Sequence, residues 1–320
     1  MVQGLGWDGK GMKGGKEMTT RILVPLDGSP LAEQALPCAV TLARGLDAEL
    51  VLLRAVWILP DILDMLDEST VDLNAIADQL DAEAGGYLNA LVGQLKEGGL
   101  NAHPVVRCGP AAETILDYAV EGKIDQIVMA THGYSGIQRW THGSVAERVL
   151  QTAMAPLLLV RAGEQDLAGD WRQPAPCRRI LVPLDGSPVA EQVLPGVVTV
   201  AQAMKGKLVL FQVPIAYVSG WMTGEWYLPA QGVLDTAEKD AQSYLSAVAV
   251  RLREQGFDVD TATGMGSVAN CIVEYAEANH IDLIAMCTHG RTGLARWALG
   301  SVADRVLRAG STPILLVRAH

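Results

Sequence analysis

The chain lacks any apolar run approaching the roughly 20 residues a membrane-spanning helix needs. Its apolar residues come in short runs such as Leu157–Val160, so it is not expected to cross a bilayer. Residues 1–17 hold six glycines and three lysines and no apolar core of the signal-peptide kind, which points to action in the cytoplasm. Cysteine is sparse: the five residues Cys38, Cys108, Cys177, Cys271 and Cys287 are odd in number and contain no C-x-x-C pair. That excludes a disulfide framework and a zinc site of the usual spacing, and fits a reducing compartment. Basic residues are outnumbered, 25 Lys and Arg against 36 Asp and Glu for a formal charge of −11, with no basic run and only two Phe. Such a surface repels a phosphate backbone, so no nucleic acid partner is expected. What remains is 320 residues with 49% hydrophobic side chains, enough for about two domains with cores of their own.

Internal repetition organises the chain. Arg21-Ile-Leu-Val-Pro-Leu-Asp-Gly-Ser-Pro30 recurs unchanged from Arg179 to Pro188, and residues 131–162 align with 288–319 at 19 of 32 identical positions. The offsets of 158 and 157 residues are too long for a solenoid unit and fit a whole domain, so the chain is read as a tandem duplication. The copies span residues 19–162 and 179–320. Residues 163–178 include Pro174 and Pro176 and no periodic apolar residues, and are expected to be a linker. Residues 1–18 have no counterpart before the second copy and are expected to be a disordered extension, with Met18 as the natural start.

Within each copy, short β-branched and leucine-rich runs alternate with longer amphipathic stretches, the parallel α/β pattern. Strands are expected at 22–26, 50–56, 102–107, 126–130 and 157–160, and again at 180–184, 208–213, 258–263, 283–286 and 314–317. Helices are expected over 32–45, 71–98, 111–120 and 145–153, with a turn or kink near Pro37. The strand runs are apolar on both faces, as when helices cover both sides of a sheet. The predicted fold is α/β: two tandem doubly wound, Rossmann-like domains, each with a five-stranded parallel sheet flanked by helices.

In such sheets ligands bind beyond the carboxyl ends of the strands, where the strand order reverses. Two recurring segments fall there. Pro25-Leu26-Asp27-Gly28-Ser29 and its copy Pro183 to Ser187 set an acidic residue after the first strand. Asp27 and Asp185 there would accept a ribose hydroxyl or help hold a hydrated metal ion. Equally, Asp-Gly suits an ordinary turn and the following serine a helix cap. The second segment runs from Ala130 through His132 and Gly133 to Gly143-Ser144, and again from Cys287 through His289 and Gly290 to Gly300-Ser301. It follows a strand and opens a helix, so backbone N–H groups and the helix dipole would converge on a phosphate. The competing reading is capping alone, since Ser144-Val-Ala-Glu147 matches a capping box and Ser301-Val-Ala-Asp304 approaches one. Six scattered histidines without ligand spacing give no metal site. Cys287 admits a redox role or a buried, inert one.

These segments, in this order and separation, resemble the universal stress protein family, and the duplication is similar to its tandem members. The resemblance covers both copies. ATP-binding members carry G-x-x-G, nine residues, then G-S or G-T. Both copies keep the nine-residue spacing, from Gly133 to Gly143-Ser144 and from Gly290 to Gly300-Ser301, while Ala130 and Cys287 replace the leading glycine. That departure matters if the backbone there needs a positive φ or leaves no room for a side chain. The resemblance implies an adenine-nucleotide site in each copy. It would be formed by Pro25, Asp27, Ala55, Ala130, His132, Gly133, Gly143 and Ser144, and by Pro183, Asp185, Val213, Cys287, His289, Gly290, Gly300 and Ser301. Asp27 and Asp185 would face the ribose or Mg²⁺, Ala55 and Val213 the adenine, and the glycines and serines the phosphates. Trp57 and residues 61–68 in the first copy, against Trp221, Trp226 and Tyr227 in the second, suggest different lids.

The expected function is a cytoplasmic stress-response protein that binds ATP, with Mg²⁺, and acts as a nucleotide-dependent regulator. One alternative is an interaction module without nucleotide binding. Another is a slow ATPase or autokinase; with no G-x-x-x-x-G-K-[ST] loop and no evident general base, no catalytic residue is assigned. By family resemblance the last strands, around Leu157–Val160 and Ile314–Val317, would pair about a twofold axis into an intrachain pseudo-dimer, with a further homodimer of whole chains left open.

Overall fold

A computed structural model describes residues 19–57, 73–131, 144–162, 177–214, 231–288 and 299–319. The expected extension over 1–18, most of the expected linker and both expected lid segments beyond Trp57 lie outside the described residues. In the first copy the elements are β1 (Arg21–Pro25), α1 (Pro30–Glu33), α2 (Leu36–Leu46), β2 (Glu49–Val56), α3 (Leu73–Glu97), β3 (Ala102–Cys108), α4 (Ala111–Glu121), β4 (Gln126–Ala130), α5 (Ser144–Thr152) and β5 (Leu157–Val160). The second copy repeats them as β6 (Arg179–Pro183), α6 (Pro188–Glu191), α7 (Leu194–Met204), β7 (Lys207–Gln212), α8 (Gln231–Glu254), β8 (Val259–Thr263), α9 (Val268–Ala278), β9 (Leu283–Cys287), α10 (Ser301–Ala309) and β10 (Ile314–Val317).

The predicted fold class is observed. Each copy has strand order 3-2-1-4-5 with parallel neighbours. Alternation along the strands divides the core: Ile22, Val24, Leu50 and Leu52 face α1, α2 and α3, while Leu23, Val51 and Leu53 face α4 and α5. The helix expected over 32–45 is two helices. Ser29 caps the first, the chain turns at Gln34 and Ala35, and Pro37 sits in the first turn of α2, where its missing N–H is not needed.

The two sheets are one. β5 and β10 pair antiparallel, with Leu159 opposite Ile314, Leu158 opposite Leu315 and Leu157 opposite Leu316, giving a ten-stranded sheet. This covers two apolar edges that would otherwise be open to association with other chains. Above the seam α2 packs on α7, and the core on that face runs through both copies. A Cβ at Gly45 would overlap the Ala203 carbonyl, so the helices approach to backbone contact there.

Candidate functional site

The strand order reverses between β1 and β4. From β1 the chain steps outward to β2 and β3, then returns to the other side of β1 for β4 and β5. A crevice therefore opens beyond the carboxyl ends of β1 and β4, and of β6 and β9 in the second copy.

On one side of it lies the aspartate turn. Asp27 Oδ1 accepts the Ser29 N–H at 2.8 Å, and Ser29 Oγ accepts the Ala32 N–H at 3.2 Å. Asp185 and Ser187 repeat both bonds at 2.9 and 3.1 Å. Gly28 and Gly186 have φ of 86° and 81°, left-handed values that a residue without Cβ adopts freely. The turn and the cap anticipated for this sequence are thus both present, and they hold each aspartate at the rim of its crevice. Pro25 and Pro183 end the strands that lead to it, opposite Leu53 and Phe211. Ala55, half-buried, is paired with Arg107 across β2 and β3, and Val213 is buried just beyond β7.

On the other side are the ends of β4 and β9. Ala130 and Cys287 are their last residues, both buried and both extended. Among the described residues only Asp47, Lys123, Lys205 and His280 combine a side chain with positive φ, so neither position needs glycine for its backbone conformation. Both side chains pack into the core instead. Burial pushes the Cys287 thiol up to about 12, which keeps it protonated near neutral pH and favours the inert reading.

The loop after β9 is closed at its base, where the Gly300 N–H donates to the Thr288 carbonyl at 2.7 Å. Gly300, not Ser301, is the N-cap of α10, with φ −60° and ψ 145° and no side-chain cap. This corrects the capping-box reading of Ser301 to Asp304. Ser301 is already helical, and the Asp304 carboxylate turns down the helix to Arg308, with both oxygens 2.9 Å from Nε. The first-turn amides of α10 consequently present partial positive charge without a serine or aspartate closing over them. In the first copy Ser144 opens α5. His132, Gly133, Gly143, His289 and Gly290 lie outside the described residues.

Sequence reasoning passed over a polar cluster beside the aspartate turn. The Arg54 guanidinium rests on Gly28, where a Cβ would meet its Cζ at 3.3 Å. It also lies 5.4 Å over the Tyr87 ring and 3.9 Å from Glu83. The Tyr87 hydroxyl donates to Glu33 at 2.8 Å, tying α3 to α1, and burial together with Glu33 pushes its pKa well up. Tyr244 and Glu191 repeat the bond at 3.0 Å. There, however, the arginine is Arg251 on α8, 2.6 Å from Glu191, and Gln212 stands where Arg54 would be. The repeat offset was the available signal, because Tyr87 and Glu33 recur at it while Arg54 does not.

Comparison with known proteins gives the family and the fold. The model of the universal stress protein family matches residues 18–161 and 176–318. The chain belongs to the universal stress protein family. A tandem relative, universal stress protein Slr1230 of Synechocystis, is 25% identical over 317 residues, covering 93% of this chain and 99% of that protein. Universal stress protein MJ0531 of Methanocaldococcus jannaschii is 30% identical over 155 residues, covering 48% of this chain and 89% of its own length. The crystal structure of a universal stress protein from Archaeoglobus fulgidus superposes with a TM-score of 0.70 at 18% identity, covering 94% of this chain and 99% of that one, which shows the shared fold.

Among the described residues no helix is long and apolar enough to cross a membrane, and no group of three or more His, Cys, Asp or Glu is arranged to hold a metal ion.

Proposed function

We propose that each repeat binds an adenine nucleotide, with ATP as the main ligand, and that occupancy makes the chain a nucleotide-dependent regulator in the cytoplasmic stress response. The observation that carries this is the second crevice, where Asp185 stands at one wall and an uncapped helix start at Gly300 and Ser301 stands at the other. An aspartate accepts ribose hydroxyls, and helix-start amides receive phosphate oxygens. The loop spacing from Gly133 to Gly143-Ser144 and from Gly290 to Gly300-Ser301 supports the same division in both copies. Ala55 and Val213 would offer their backbone to the adenine.

With no cluster among the described residues to hold it, Mg²⁺ would arrive on the phosphates, and Asp27 or Asp185 would reach it through water. The ion would neutralise phosphate charge. The chain's own residues bind and orient, and none is assigned a catalytic role. We further propose that residues 19–162 and 179–320 act as the two domains of one working unit, an intrachain pseudo-dimer joined at β5 and β10.

The test is titration of the intact chain with ATP and Mg²⁺, alongside Asp27→Asn and Asp185→Asn. Asparagine keeps an Oδ1 acceptor for the serine amide, so the turn survives while the charge is lost. Each variant should weaken one of two sites about tenfold, the scale of one charge-assisted hydrogen bond. No binding by the intact chain, or undiminished affinity in both variants, would contradict the proposal.

A further inference from the structure

We infer that Arg161 and Arg318 are positioning residues that act across the seam: each holds, from one repeat, the helix on which the phosphates rest in the other. This rests on the nucleotide reading above and names what fixes the geometry of those sites.

The proposed phosphate positions lie at the starts of α5 and α10, helices of nine residues each and about 14 Å long. Helices this short are marginal by themselves, so what holds their ends decides how well their first-turn amides stay aimed. The sheet fixes one face of each, through Ala146, Val149 and Leu150 in α5 and Ala303, Val306 and Leu307 in α10. The far ends favour a cation, and neither helix supplies one to its own carbonyls. α5 has no basic residue in its last turn, and Arg308 in the last turn of α10 is turned back to Asp304.

The cation comes from the other repeat. Arg161 Nη1 donates to the Gly310 carbonyl just past α10. Arg318 Nη1 donates to the Thr152 and Ala153 carbonyls at the end of α5, at 3.1 and 3.4 Å. Both arginines directly follow the seam strands β5 and β10. The strand residue before each is held in turn: the Val160 carbonyl accepts the Thr131 N–H at 3.0 Å, and the Val317 carbonyl accepts the Thr288 N–H at 2.9 Å. Thr131 and Thr288 are the first residues after β4 and β9, at the rim of the two crevices. Each arginine therefore stands between the rim of its own site and the helix end of the other. An anion at the start of a helix and a cation at its end both favour the same aligned peptide dipoles, so loss of the arginine lowers the affinity of the start for phosphate.

Calorimetric titration of the intact chain with ATP and Mg²⁺ tests this in two backgrounds. Asp27→Asn leaves the second repeat as the tight site, and Asp185→Asn leaves the first. In Asp27→Asn, adding Arg161→Ala should weaken the remaining tight site about fivefold more than adding Arg318→Ala does; in Asp185→Asn the order should reverse. Arg161→Lys and Arg318→Lys keep a cation near the carbonyls, so their losses should be smaller and cross in the same way, and they carry the test if an alanine variant does not fold. A merely structural role lowers both sites together and gives no crossing. If ATP binds and the losses fall equally on the two sites, or on the repeat that supplies the arginine, the inference is overturned and the nucleotide reading stands. If the unsubstituted chain binds no nucleotide, both fall.

Discussion

Arg318 Nη1 donates to the Thr152 carbonyl at 3.1 Å, so the C-terminus of a helix in one repeat is closed by a side chain from the other. Arg161 returns the bond to the Gly310 carbonyl beyond α10. The exchange is isologous, as at a twofold dimer interface, although one chain supplies both halves. A cation also suits the negative end of each helix. Burial pulls the Arg161 pKa down, the mark of a charge taken partly out of water. Replacing either arginine by alanine should therefore lower the unfolding free energy by about 1–2 kcal/mol, the value of a charged hydrogen bond lost from a half-buried site. Urea denaturation measures it, and changes below about 0.3 kcal/mol in both variants would deny the caps a role.

Gly45 makes a close backbone contact between the repeats, and its counterpart at the repeat offset is the residue it approaches, Ala203. Gly45→Ala would drive a methyl into that residue's carbonyl. We expect a loss of about 1–3 kcal/mol, the usual cost of overpacking. Gly86→Ala is the control: it lies on the exposed face of α3, where a new Cβ meets nothing within 4 Å. That change should raise stability by up to about 1 kcal/mol through helix propensity. Thermal melts of the two variants should move in opposite directions.

Gly300→Asp separates stability from binding. The backbone at Gly300 is already in the extended region an N-cap aspartate adopts, and α10 has no side-chain cap. Aspartate should stabilise the helix start by about 0.5 kcal/mol. The same carboxylate would stand where the phosphates of the second site are proposed to rest, so nucleotide affinity there should fall at least tenfold. A variant that melts higher and binds as before would remove the phosphate role from this helix.

Alkaline pH tests the buried thiols. Burial pushes Cys177 and Cys287 from the ordinary 9.0 up to about 12. Their folded forms stay protonated while the unfolded thiols ionise above 9.0, so this contribution is whole below that pH and is lost as pH rises toward 12. Unfolding free energy should decline from pH 9 upward, and Cys287→Ser should flatten the decline. At pH 8 a thiol reagent should label exposed Cys108 ahead of either buried residue.

Much of the fold was legible because the inner strands are buried on both faces and read as apolar runs, unlike the edge strands β3 and β8, and because the decapeptide from Arg21 marks the same strand and turn twice. Boundaries were less so. α10 begins one residue after its cap, and that cap is a glycine whose amide is taken by Thr288, a bond between residues twelve apart that no local pattern announces. The same holds for Arg161 and Arg318, whose partners are backbone carbonyls 149 and 166 residues away. Asp27 and Asp185 stood out because turn chemistry repeats around them. Arg54 did not, because on a strand it reads as one polar residue among apolar ones. Only the folded turn at Gly28 shows what it lies against.

The most direct measurement is of what the protein carries. Freshly purified, undialysed chain is denatured, and the released small molecules are identified and counted by chromatography and mass spectrometry, followed by titration of the emptied protein with ATP and Mg²⁺. The account predicts adenine nucleotide, up to about two per chain when both sites are filled, one for each recurrence of the glycine-loop spacing. No adenine nucleotide released and no binding on titration would contradict it, and would leave the pair of repeats as an interaction module.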